Sequence, residues 1–221
     1  GLSVEAQVMT GSKTSAIFVT LEGGEGAGKS TSREFIVSLL EEHNVPFIQT
    51  REPGGTPIGE ALRELLLSKE GIAPSVTTEL LMVFAARAQH LHEVIEPALR
   101  DGNWVLCDRF TDATYAYQGF GRGLDIREIE ALEALVQRGR HPDLTLLFDI
   151  DPQLGMARAR QRAELDRFEQ EELAFFEKVR EGYLSRAERD SRLKIIDASR
   201  SIDDVQQALR EVLQPLLDGT S

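Results

Sequence analysis

Short apolar runs alternate along this chain with longer segments in which apolar residues recur every three or four positions. Ala16–Leu21 (AIFVTL) predicts a short buried strand, and a helix is predicted from Lys29 to about His43. VPFIQT (Val45–Thr50) predicts a second strand, broken by EPGGTP, which excludes a regular helix or central strand. Ile58–Leu67 has helical spacing, and Thr77–Leu99 predicts a long helix whose end Pro97 could bend. Further strands are predicted at Trp104–Asp108, Leu144–Ile150 and LKIID (Leu193–Asp197). Helices are predicted at Asp125–Arg138, Glu171–Arg189 and Ile202–Leu217. Several strands read as continuous apolar runs, as expected when both faces of a sheet are covered. The expected architecture is therefore α/β, a five-stranded parallel sheet with helices on both sides. Residues 1–15 are read as an N-terminal extension, with Met9 a candidate natural start. Residues 16–221 are read as one domain, with ligands expected at the carboxyl ends of the strands.

Composition narrows the function classes. A chain of 221 residues can bury a core without disulfides or structural metal, and a single cysteine, Cys107, excludes an internal disulfide. The formal charge of −12 argues against a broad nucleic-acid or anionic-membrane surface. With no transmembrane run and no secretory signal, the cytoplasm is the expected location.

The chemistry begins at EGGEGAGKS, Glu22–Ser30. Gly23, Gly28, Lys29 and Ser30 match G-x-x-x-x-G-K-[ST] between a predicted strand and a predicted helix. Gly23, Gly24, Glu25, Gly26, Ala27, Gly28, Lys29, Ser30 and Thr31 are the candidate ATP-binding residues. Glycines let backbone N–H groups face phosphate oxygens, Lys29 would reach the β- and γ-phosphates, and Ser30 would hold Mg²⁺. A structural Gly-rich turn is the bland alternative. Neither [NT]-K-x-D nor D-x-x-G occurs, which argues against a switch GTPase; a small kinase fits better. Such an enzyme needs an acceptor site and a source of arginine. Arg51 follows a strand and could clamp a phosphate, with Pro53 fixing the turn that aims it. Asp108 and Arg109 end the third strand, where an aspartate can act on Mg²⁺ through water. A surface arginine and a structural ion pair are the respective alternatives.

TREPGGT (Thr50–Thr56), FAARAQH (Phe84–His90) and DRFTDATYAYQGFGRG (Asp108–Gly123), together with the phosphate loop, resemble the thymidylate kinase family in its bacterial form. The resemblance runs from about Ile17 to Ala198 and includes the order and spacing of the motifs. It implies phosphorylation of dTMP to dTDP with Mg-ATP, and a homodimer. It further implies that Arg51, Arg63 and Arg109 bind the acceptor phosphate, and that Arg87, Thr114 and Gln118 meet the thymine edge. Tyr117 is implied to crowd the sugar 2′ carbon, and Glu25 to accept from the acceptor's 3′-hydroxyl. The family's stacking ring commonly lies four residues before the arginine, which here is Val83; Phe84, three before, is the expected substitute. The loop carries no arginine, so the implied catalytic arginine comes from a lid at about residues 155–170. Arg162 is favoured, then Arg158 and Arg160, with Arg167 in the same run. Ala163 stands where the lid often has glycine. Kinases for other nucleoside monophosphates such as UMP, and a non-catalytic nucleotide sensor, are the competing readings.

Overall fold

The computed structural model describes residues 15–71, 73–161 and 165–219. Five parallel strands form one sheet: β1 (Phe18–Gly23), β2 (Phe47–Arg51), β3 (Trp104–Asp108), β4 (Leu144–Asp149) and β5 (Leu193–Asp197). Their order is β2-β3-β1-β4-β5, with β1 central. The expected α/β parallel architecture is thus present.

Side chains alternate across the sheet, so each apolar run supplies two cores. Val19, Leu21, Trp104, Leu106, Leu144, Leu146 and Phe148 pack against α1 (Lys29–Glu42) and α9 (Ile202–Asp218). Phe18, Val105 and Cys107 face the other way, toward Leu91, Ile95, Ala98 and Phe110. Also on that face, Leu147 joins Ala116, Tyr117, Phe175, Phe176, Val179 and Tyr183. Burial pushes the Cys107 thiol up, as expected for a packing residue rather than a reactive one.

The remaining helices are α2 (Pro57–Leu67), α3 (Val76–His90), α4 (Glu96–Arg100), α5 (Thr111–Thr114), α6 (Ile126–Gln137), α7 (Pro152–Ala159) and α8 (Leu173–Arg189). The helix expected over Thr77–Leu99 is α3 and α4 joined by a π-helical turn, Leu91–Ile95. Ser75 caps its start by accepting from the Thr78 N–H. Pro97 cannot donate to a carbonyl one turn back, and the widened turn lies just ahead of it. A second π-helical segment, Tyr115–Gly121, follows α5 and packs on α8. No helix among the described residues is long and apolar enough to cross a membrane.

Candidate active site

A cavity of about 730 Å³ opens over the carboxyl ends of the central strands. The loop between β1 and α1 forms one wall, contributing Gly24, Glu25, Gly26, Ala27, Gly28, Lys29, Ser30 and Thr31. Gly28 caps α1 with φ 71°, and the first turn of α1 holds no acidic side chain. The first N–H groups and the positive end of the helix dipole are therefore open to an anion. Gly26 (φ 73°) lies so close to α7 that an added Cβ would stand 2.0 Å from the Gly155 carbonyl oxygen. A Cβ on Gly155 would in turn meet the Glu25 carbonyl oxygen at 2.2 Å. This glycine-on-glycine contact sets the loop against α7. Gly23 borders Phe148 rather than the cavity.

Lys29 Nζ donates to Asp108 Oδ1 at 2.9 Å. Burial, then the neighbouring Arg109, hold the Lys29 pKa below the usual ammonium range. Burial opposes ionisation of Asp108, but Lys29 and Arg109 outweigh it and keep the carboxyl below its ordinary value. The Ser30 hydroxyl is exposed and makes no hydrogen bond among the described residues. One hydroxyl and one carboxylate beside an anion-binding loop are hard oxygen donors of the kind Mg²⁺ takes alongside phosphate and water.

Arg109 holds φ 68°, a conformation rare outside glycine, and its N–H donates to the Leu21 carbonyl at 2.9 Å. Strain at such a residue is a marker of function. Its guanidinium lies over the Tyr117 ring, 4.9 Å from the centroid, and donates to Glu25 Oε1 at 3.1 Å. The Tyr117 hydroxyl lies 3.5 Å from the same oxygen. Glu25 is thus held at the cavity wall by the cation beside it, not turned to solvent.

Arg63 donates to the Pro53 carbonyl at 3.0 Å and lines the cavity with Pro53. Burial first, then the positive charges of Arg51 and Arg109, depress the Arg63 pKa. Arg63 and Arg109 thus border the cavity together, with the charge of Arg51 nearby, a local excess of positive charge that suits an anion. Arg51 itself stands outside the lining and pairs with Glu60 at 2.9 Å.

Deeper in, Arg87 is only 2% exposed. Its Nε donates to Glu52 Oε1 at 2.7 Å and its Nη2 to Thr114 Oγ1 at 3.1 Å. Glu52 Oε2 meets His90 Nδ1 at 2.7 Å, and His90 Nε2 meets Thr50 Oγ1 at 2.6 Å. Arg87 Nη1 has no partner among the described residues, although Arg87 borders the cavity. Phe84, the expected stacking ring, does not border the cavity. It is 2% exposed, packs with Leu80, Tyr115 and Ile129, and lies under Arg87 with its centroid 4.9 Å from the guanidinium carbon. Val83 takes the place in the cavity wall. One residue of helix rotation separates the two, so α3 cannot present both to the same side. Gln118 and Thr114 also line this end, and Gln118 Nε2 donates to Glu79 Oε1 at 2.8 Å.

Of the arginines expected in the lid, Arg158 on α7 reaches the cavity and donates to the Ala198 carbonyl at 3.1 Å. Arg160, at the exposed C-cap of α7, does not border it. Arg162 lies outside the described residues. Arg167 donates to Glu79 Oε2 at 2.7 Å. Glu52, Leu66, Leu67, Phe110, Ala113, Asp166, Phe168 and Glu169 line the cavity without having been singled out from sequence. Glu52 lies within TREPGGT and Phe110 directly follows the Asp108–Arg109 pair, so position in a motif was the available signal. Burial, with Glu25 and Asp166 nearby, pushes Glu169 up to about 7.

Known proteins resemble this chain over most of its length. The thymidylate kinase family profile matches residues 21–209. A thymidylate kinase of Pseudomonas putida (strain GB-1) is 55% identical over 205 residues, covering 92% of this chain and 98% of the relative. That of Pseudomonas entomophila (strain L48) matches over the same length at 55%. That of Teredinibacter turnerae is 54% identical over 201 residues, 90% of this chain and 98% of the relative. The chain belongs to the thymidylate kinase family.

Proposed function

We propose that this protein transfers the γ-phosphoryl group of Mg-ATP to dTMP, releasing ADP and dTDP for DNA precursor synthesis. The observation that carries the reading is one continuous cavity with phosphate-binding donors at one end and the unpaired Arg87 Nη1 at the other. A buried cationic donor without a partner is costly, and a pyrimidine carbonyl would satisfy it.

ATP binds by its β- and γ-phosphates to the loop N–H groups from Gly24 to Thr31. Lys29 exchanges its bond to Asp108 for a phosphate oxygen. Mg²⁺, when bound, would be held by Ser30 and, through water, by Asp108, and would neutralise charge on the β- and γ-phosphate oxygens. Arg109, supported by Arg63 and Arg51, receives the acceptor phosphate. Its strained backbone and its seat on Tyr117 pre-set the guanidinium, so little ordering remains at the moment of reaction. Glu25 accepts from the acceptor's 3′-hydroxyl, which explains a carboxylate inside an anion loop. Tyr117 fills the space a ribose 2′-hydroxyl would need. A phosphate monoester has its second pKa near ~6, so the attacking oxygen is ionised at neutral pH and no general base is required. Arg158 reaches the cavity from α7 and would offset charge developing on the transferred group.

The apolar residues left exposed on α2 and α3, namely Ile58, Leu65 and Leu81, support a homodimer. Ile58 and Leu65 lie seven apart and so share one face of α2. The reading places the enzyme in the cytoplasm, with no nucleic-acid or membrane partner. Incubation with Mg-ATP and dTMP, followed by separation of the nucleotides, tests it. Equimolar ADP and dTDP are expected; ATP binding with no dTDP would instead favour a nucleotide sensor.

A further inference from the structure

We propose that Glu79, which does not border the cavity, is a positioning residue for the acceptor base. It turns the Gln118 amide so that its oxygen faces the base, and with the same carboxylate it seats the arm at residues 165–171, the far end of the lid region. The inference rests on the dTMP reading above.

Glu79 lies in the first turn of α3 and is 1% exposed. A carboxylate at that depth must be fully paired. Oε1 accepts from Gln118 Nε2 at 2.8 Å and from Arg122 Nε at 3.3 Å. Oε2 accepts from Arg167 Nη2 at 2.7 Å. Carboxylate oxygens between two guanidinium groups offer only acceptors, so Gln118 must present its amino group to them. Its carbonyl oxygen is left over, on a side chain that lines the cavity, with no hydrogen bond among the described residues.

The deep end of the cavity therefore carries a free acceptor, Gln118 Oε1, and a free donor, Arg87 Nη1. Thymine and uracil present a carbonyl next to a ring N–H, which complements this pair. Cytosine presents an amino group next to a bare ring nitrogen, setting donor against donor and acceptor against acceptor. Reversing the Gln118 amide would remove half of that discrimination, and Glu79 is what prevents the reversal.

The same carboxylate reaches the lid arm. Arg167 also donates from Nε to the Leu66 carbonyl at 2.9 Å and from its backbone N–H to the Leu67 carbonyl at 3.2 Å. Arg122, bonded to Glu79, donates from Nη1 to Glu171 Oε1 at 2.5 Å. Base recognition and seating of this arm thus share one buried anion, and a base that draws on Gln118 strengthens the set of contacts Arg167 joins.

The test is Glu79→Gln. A glutamine there can offer its own amino group to the Gln118 oxygen, which frees the Gln118 amide to turn. The ratio of kcat/KM for dTMP to that for dCMP should fall at least ~10-fold, well within what mispaired buried polar groups cost in discrimination. The KM for ATP should stay within about twofold, and the dTMP-induced hydrogen-exchange protection of residues 165–171 should be lost. A folded Glu79→Gln enzyme with the wild-type dTMP-to-dCMP ratio would overturn the proposal. If that variant does not fold, Arg167→Met decides. It leaves the Glu79–Gln118 bond in place, so the ratio should hold within about twofold while the protection disappears. A collapsed ratio, or protection that survives, would refute the link. Wild-type protein that makes no dTDP would remove the underlying reading instead.

Discussion

Arg87 is buried with one amino group unpaired, while its other donors are fixed by Glu52 and Thr114. Arg87→Met should lower kcat/KM for dTMP by ~100-fold or more, in line with losing a buried charge-assisted hydrogen bond. It should leave ATP affinity within about threefold, because the phosphate loop is untouched; titration with ATP and steady-state rates measure both. The variant also strands Glu52 in the interior beside His90 alone, so its melting temperature should drop. Arg87 was legible because a family motif marks it. The burial of Glu52 and His90 with it was not, although both lie in motifs, since nothing in a linear pattern says which polar groups will be buried against each other. The inward turn of Phe84 was hidden for a related reason: residues three and four before Arg87 flank it on either side, and the linear pattern does not say which flank packs against Tyr115 and Ile129. Glu22 carries a second residue-level consequence. Burial, then Asp112, raises its pKa from 4.5 to about 8, partly offset by donors from Tyr183 and the Phe110 N–H. The folded state therefore holds a proton there that the unfolded chain releases above its ordinary carboxyl pKa. This group's contribution makes stability fall with rising pH across that interval, by up to about 1.4 kcal/mol per pH unit, and level off above the folded pKa. Glu22→Gln should flatten the slope, as read from urea midpoints between pH 5 and 8.

At the level of elements, the phosphate loop depends on α7 as much as on its own glycines. Gly155→Ala would place a methyl against the Glu25 carbonyl, where no flexible side-chain end can yield. ATP affinity should fall at least ~10-fold, since a loop displaced by even ~1 Å loses the aligned N–H groups; isothermal titration measures it. The strands and long helices were readable because apolar runs and three-to-four spacing are direct marks of a sheet covered on both faces. The helix α7 was not, because Pro152–Ala159 is short and its one arginine, Arg158, opens a basic run that resembles a solvated one. The π-helical turns were equally hidden, since they arise from how α3 and the segment after α5 settle on their neighbours. That placement of α7 also changes the emphasis among the arginines. Arg158→Ala should depress turnover ~10³-fold while ATP binding changes little, as for an arginine acting on transition-state charge. A variant with near-normal turnover would pass the role to another arginine of the run.

Across the whole molecule, the order β2-β3-β1-β4-β5 brings the ends of three neighbouring strands to one cavity. The loop after β1 brings N–H groups and Glu25 together in that cavity, as the proposed sharing of one space by donor and acceptor requires. Exposed Leu65 (64%) and Leu81 (51%) leave apolar surface uncovered on α2 and α3. The proposed homodimer predicts that wild-type protein sediments as a dimer at micromolar concentration and that Leu65→Glu combined with Leu81→Glu sediments as a monomer; a wild-type monomer would contradict it. The central claim concerns the acceptor, and kcat/KM for dTMP, dUMP, UMP and dCMP at one fixed concentration of Mg-ATP tests it most directly. The proposed function predicts dTMP as the best acceptor, with UMP and dCMP lower by ~100-fold or more, on the proposal that Tyr117 crowds a ribose and that the Arg87–Gln118 pair mismatches cytosine. Comparable turnover of UMP or dCMP would contradict that account of the site.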